Sequence, residues 1–264
     1  MGENSLEISD MPSELSKISM NKNVIINNTC IDKILFPEAE RLWERYKTLA
    51  DRNFLVDFNR TDTHVQRFSE MFFANKLLAD GYSLKHRGFK EGPDLLLEND
   101  EKKIWVEVVT PGPGDELLFQ GIDVADICQG GKAYSFNVER NYLRIRGALE
   151  TKRKQFNKYI EKKLIQQDDA CVIAMNTIAL GPDGPTGFDV ETVLGVVKQF
   201  STGSVIKANG TKIEMGCFDC AFISGVLFTR AELFWRKTLE TEVYFASNSL
   251  ADRKIPFDFF KKYV

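Results

Sequence analysis

The sequence predicts a mixed α/β fold of order α-β-β-β-α-β, a mixed sheet flanked by helices. A helical extension precedes it and further β structure follows it. Three observations carry that prediction. Residues 64–79 are apolar over most of a helix surface, with a turn signal at Gly81. Residues 92–111, GPDLLLENDEKKIWVEVVTP, read as two short apolar runs around a charged turn. Residues 141–165 are strongly basic, with an apolar stripe at Ile145, Leu149, Phe156 and Ile160.

Taken in order, residues 1–25 are polar and Ser/Asn-rich, a composition that does not support a packed core. Residues 36–50 predict a helix: Pro37 suits a first turn, and Leu42, Tyr46 and Leu49 recur at helical spacing. Residues 1–60 are therefore expected to be a tail and helical extension, and 61–264 the α/β core with its C-terminal elaboration. The helix over 64–79 has Thr63 as an expected N-cap and Gln66 three residues later, the spacing of a capping box. Glu70 lies on a face shared with Phe73, Ala74 and Leu77, so it is not expected to face solvent.

A short strand is expected at Tyr82–His86, followed by the hairpin. Residues 111–140 contain PGPG and QGG and read as an irregular insertion before the basic helix. Cys171–Met175 predicts a strand, GPDGPTG a loop and Asp189–Phe200 a helix. Asn209-Gly210 predicts a hairpin, Phe218–Phe228 a buried strand and Val243–Phe245 a last strand.

Composition narrows the function. With 43% hydrophobic and 28% charged residues, the 264-residue chain belongs with soluble globular proteins. No apolar run reaches the roughly 18 residues of a membrane helix. The N-terminus lacks a signal-peptide layout, and Leu6 stands where a myristoylation site needs Ser or Thr, so a cytoplasmic protein with no membrane partner is expected. Five scattered cysteines give no disulfide framework. Cys217 and Cys220 form one C-x-x-C, but with two histidines and no second pair the expectation is core thiols rather than zinc ligands. The sequence contains no phosphate-binding glycine loop and no nucleophile elbow. Net charge is −3, yet residues 141–165 hold eight basic residues against Glu150 and Glu161. Such a stripe suits either a polyanion or an ordinary solvated helix face.

The hairpin carries the sharpest clue, because Glu107 interrupts an apolar strand. With a two-residue turn at Asp100-Glu101, Asn99 meets Lys102, Glu98 meets Lys103 and Asp94 meets Glu107. Opposed residues share a sheet face, with β-carbons about 4.5–5.5 Å apart, so the two carboxylates repel unless a cation lies between them. Mg²⁺ is commonly held by one or two carboxylates, with substrate oxygens and water. An edge hairpin whose acids reach solvent or a lysine is the structural alternative.

These residues resemble the PD-(D/E)XK, or restriction-endonuclease-like, nuclease superfamily. The likeness rests on Pro93-Asp94, on Glu107-Val108-Val109 and on Glu70 upstream, and spans roughly residues 60–176. Val109 departs from the pattern, which usually has lysine there. Some members supply the amine from the next helix, where Lys152 borders the apolar stripe and Lys154 is a second choice. Gln155 and Tyr159 resemble the Q-x-x-x-Y element of RecB-like nucleases. The resemblance implies metal-dependent phosphodiester hydrolysis, with Asp94, Glu107, the Val108 carbonyl and Glu70 around Mg²⁺, or Mn²⁺ as a substitute. Lys152 would stabilise charge on phosphate, and Gln155 and Tyr159 would position it. Arg144, Arg146, Arg153, Lys154 and Lys158 would contact backbone phosphates, of DNA in preference to RNA, and a homodimer fits the superfamily. The alternative is a nuclease-fold protein that binds nucleic acid or a protein partner without cutting.

Overall fold

The computed structural model describes residues 40–60, 63–86, 91–98, 102–112, 138–177, 204–206, 212–214, 222–229, 243–248, 251–256 and 259–263. Helix α1 covers 40–46, α2 Phe54–Phe58 and α3 His64–Ala79. Strands β1 (Leu84–Lys85), β2 (Leu95–Glu98) and β3 (Lys103–Val109) follow, then the long helix α4 (Val138–Glu161) and β4 (Ala170–Asn176). Strands β5 (Ser204–Ile206) and β6 (Lys212–Glu214) pair with each other. Strands β7 (Ile223–Thr229) and β8 (Val243–Ser247) complete the main sheet. Its order is β1-β2-β3-β4-β7-β8; β3, β4 and β7 are parallel, and the outer pairings are antiparallel.

The fold is therefore mixed α/β, as the element pattern predicted. β4 and β7 are buried at every position, which is why ACVIAMN and ISGVLFT read as continuous apolar runs rather than alternating ones. Alternation along β3 assigns its two faces. Ile104, Val106 and Val108 join Leu95, Leu97, Val172 and Ala174 in a core shared with α1–α3. Trp105 and Val109 join Leu96, Cys171, Ile173 and Met175 in a second core under α4, with Ile145, Leu149, Phe156 and Tyr159. Leu42, Tyr46, Phe54, Leu55 and Phe58 belong to the first core, so α1 and α2 pack on the same body as α3. Cys171 is one of the expected core thiols, and burial pushes its thiol up to about 12.

Helix ends show where local signals won and where they lost. Gly81 (φ 91°) closes α3 as expected: its N–H meets Leu78 C=O and the Tyr82 N–H meets Leu77 C=O, a Schellman arrangement. α4 closes in the same way on Lys163 (φ 57°), with Lys163 N–H on Ile160 and Leu164 N–H on Tyr159. The capping box predicted at Thr63 and Gln66 does not form. The Thr63 side chain makes no cap bond and instead donates to the Asp57 carbonyl of α2, a helix the sequence reading did not foresee. Gln66 is drawn to β3, where two backbone groups offer it partners of both polarities. The expected hairpin at Asn209-Gly210 is seen as the β5–β6 pairing. Residues 113–137 of the expected insertion, the loop GPDGPTG, the helix expected over Asp189–Phe200, the turn at Asp100-Glu101, and Cys217 and Cys220 lie outside the described residues. Among the described residues, no helix is long and apolar enough to cross a membrane.

Candidate active site

β2 and β3 pair as Leu95↔Val106, Leu96↔Trp105, Leu97↔Ile104 and Glu98↔Lys103. This is the register predicted from the charged turn, and one further step sets Asp94 opposite Glu107. Side-chain parity puts both on the α4 face: Leu96 and Trp105, two residues from each, belong to the core beneath α4. Glu107 is 1% exposed. Its Oε1 accepts a hydrogen bond of 2.8 Å from Lys152 Nζ, and the Lys152 side chain is itself 14% exposed.

Lys152 reaches Glu107 because of its place on α4. Ile145, Leu149, Phe156 and Tyr159 are buried, and Lys152 falls in the same line, three residues after Leu149 and four before Phe156. It lies within the apolar stripe rather than at its border. Burial alone would lower its pKa, but the charges of Glu107 and Asp94, the bond to Glu107 and the charge of Glu70 outweigh that, and the ammonium is held above its ordinary value. Lys152 is therefore a fixed cation at neutral pH and not a proton acceptor. Lys154, the second choice, points into solvent with its side chain 66% exposed, 3.7 Å from Glu150.

The other two acids have defined anchors. Asp94 Oδ2 accepts the Val108 N–H at 2.8 Å. Glu70, 3% exposed on α3, accepts from Arg67 Nη1 at 2.9 Å. Arg67 also bridges to Asp51 and Asp57 and lies 5.3 Å over the Phe54 ring. Burial acts to lower the Arg67 pKa, but Glu70, Asp57 and Asp51 raise it overall, so it too remains a cation. Gln66 spans both backbone groups of the segment after Glu107: Nε2 donates to Val108 C=O and Oε1 accepts from Thr110 N–H, each at 2.9 Å. Ser69 accepts from Thr110 Oγ1 at 2.8 Å and from Asn176 Nδ2 at 2.9 Å, tying α3 to the ends of β3 and β4.

From the sequence Gln66 reads only as a capping residue, and Arg67 is not singled out. A signal existed, since they stand four and three residues before Glu70 and so share its helix face. Of the predicted helix residues, the Gln155 amide donates to the Tyr159 hydroxyl, and the Tyr159 ring packs edge-on against Phe156. Arg153 is held by both oxygens of Glu150, Arg144 and Lys158 are exposed, and Arg146 is half-buried.

Two carboxylates and a backbone carbonyl are hard oxygen donors of the kind Mg²⁺ takes. Among the described residues, no three His, Cys, Asp or Glu side chains form a ready cage. The set thus fits an ion held by few protein ligands, with the rest of its shell left to water and substrate, rather than an enclosed structural ion. No protein-family model matches the chain, and no curated protein or solved structure is significantly similar to it.

Proposed function

We propose that the protein is a divalent-metal-dependent nuclease with a restriction-endonuclease-like core, whose lysine comes from α4 rather than from β3. The observation that carries the reading is the 2.8 Å bond between Lys152 Nζ and Glu107 Oε1. It returns an amine to the acid pair at the point where Val109 leaves a lysine missing, and the sequential order α3-β1-β2-β3-α4-β4 agrees with such a core.

Asp94, Glu107 and the Val108 carbonyl would hold the ion, with Glu70 behind them. The ion would neutralise charge on the scissile phosphate and lower the pKa of water at the site. Lys152 keeps its proton and presents it to a phosphate oxygen as charge develops there; water would attack phosphorus and give up a proton to solvent while the bond from phosphorus to the sugar oxygen breaks, and that oxygen would take its proton from solvent. For that, the ammonium has to be shared between Glu107 and the phosphate. Arg67 holds the Glu70 carboxylate in place through its 2.9 Å bond. Gln155 and Tyr159 stiffen the turn of α4 that carries Lys152. Arg144, Lys154 and Lys158 supply sequence-independent contacts to the backbone of DNA.

The test is Mg²⁺- or Mn²⁺-dependent cleavage of plasmid, single-stranded DNA and RNA by the full chain. Cleavage that is abolished by EDTA and by Glu107→Gln supports the reading. Cleavage that survives Glu107→Gln removes the assignment. Nucleic-acid binding without cleavage on any substrate favours the alternative, a nuclease-fold binding protein, for which Val109 at the usual lysine position speaks.

A further inference from the structure

We propose that Gln66 is a positioning residue, which holds the Val108 carbonyl and the end of β3 in the orientation a divalent ion requires. The inference rests on the reading of Asp94, Glu107 and the Val108 carbonyl as an ion site. β2 pairs with β3 no further than Leu95, opposite Val106. In an extended strand the N–H and C=O of one residue point to the same edge, as do those of every second residue. Val108 N–H, Val108 C=O and Thr110 N–H therefore share the β2 edge of β3, beyond the start of β2. Side chains serve them there. Asp94 takes the first at 2.8 Å, and Gln66 takes the other two at 2.9 Å each.

A carboxamide is suited to this edge because it offers a donor and an acceptor side by side, as a neighbouring strand would. Gln66 replaces β2 at the point where the strand pattern gives way to Asp94. The consequence is local. Without Gln66, Val108 C=O and Thr110 N–H lose these partners, and the peptide that precedes Val109 is held only from its β4 side. The same segment carries Glu107, so both a carbonyl ligand and a carboxylate ligand lose definition. Partners of this kind, one bond removed from an ion, set its affinity without touching it.

The experiment titrates Mn²⁺ into the full chain and follows the free ion by electron paramagnetic resonance, with no substrate present. Three variants accompany the wild type, and thermal melts report their stability. Gln66→Met keeps the side-chain length and removes both bonds. Gln66→Asn keeps the amide on a shorter stem and serves if Gln66→Met does not fold. Ser69→Ala breaks the neighbouring bonds to Thr110 and Asn176 without touching the Val108 carbonyl. Gln66→Met should weaken Mn²⁺ binding about 10–100-fold, Gln66→Asn by less, and Ser69→Ala by no more than about twofold even where it lowers the melting temperature. Wild-type affinity in Gln66→Met or Gln66→Asn, or an equal loss in Ser69→Ala, would make Gln66 a structural clamp and overturn the proposal. A wild-type chain that binds no Mn²⁺ would remove the ion-site reading itself, a different result from a site that ignores Gln66.

Discussion

At the amino-terminal ends of the parallel strands, Trp105 Nε1 donates to Asp169 at 2.8 Å, and the Gln166 N–H donates to the same oxygen at 2.9 Å. Arg253 donates to the carbonyls of Gln166 and Asp169, and Ser224 joins the Arg253 carbonyl to the Cys171 N–H. At the carboxyl-terminal end of β3, Glu107, Asp94 and Glu70 all act on one ammonium, Lys152. Both places bury polar groups. The first matches donors and acceptors with backbone and unites β3, β4, β7 and the C-terminal segment. The second gathers like charges that burial makes costly, around cations drawn from two different helices. A polar cluster that serves only the fold has no need of the second arrangement, and this contrast is the physical basis for placing function at the carboxyl end.

The contrast can be broken by substitution, and the largest effect is expected at Glu107. Glu107→Ala removes the hydrogen-bonded partner of a buried pair and leaves Lys152 with only the charges of Asp94 and Glu70, a loss of about 3–5 kcal/mol in urea unfolding, together with all cleavage. The bond to Lys152 is what makes this change costly to folding. A double variant, Glu107→Leu with Lys152→Met, should recover most of that stability and none of the activity, since apolar replacement of a buried pair is commonly neutral or better. If the double variant still cleaves, the acid-lysine pair is not the chemistry.

At the other end, Arg253→Met should cost about 1.5–3 kcal/mol, the range for hydrogen bonds made by a charged group, and leave turnover per folded molecule unchanged. A fall in turnover at equal fraction folded would erase the distinction between the two ends.

Lys152 makes a third prediction, read by pH. Its folded pKa is raised, so the folded chain keeps a proton that the unfolded chain loses first. The stabilisation is complete below the ordinary lysine range and is lost as pH climbs through the raised value. Urea midpoints measured from pH 8 to 11 should fall at the alkaline end, and Lys152→Met should flatten that fall. The smallest effect belongs to Lys154, which is mostly exposed. Lys154→Ala should change stability by less than about 0.5 kcal/mol. It should also lower the salt slope of DNA binding by about one, measured by fluorescence anisotropy across salt concentrations.

Much of this was legible in the sequence because it depends on periodicity. The hairpin register follows from counting outward from a charged turn, and β3 confirms it at four pairs. Glu70 was recognisable as buried from its helix neighbours, and Lys152 as close to an apolar stripe. What was not legible involves partners distant in sequence. Gln66 looked like a capping residue because Thr63 precedes it by three, and only β3, more than forty residues later, shows what it bonds. The same is true of Arg67, whose acids Asp51 and Asp57 come from the turn before α2 and from α2 itself, a helix too short to leave a periodic trace. The tie between Arg253 and Asp169 joins residues 84 apart in the chain, and no local pattern marks either.

The central claim is that Asp94 and Glu107 share an ion beside Lys152. Diffraction from a crystal soaked in Mn²⁺, collected at the manganese absorption edge, tests it most directly. The account predicts an anomalous peak between the two carboxylates, bonded to both, with Lys152 Nζ within reach. A soaked crystal with no peak there, and with Lys152 still on Glu107, would contradict it.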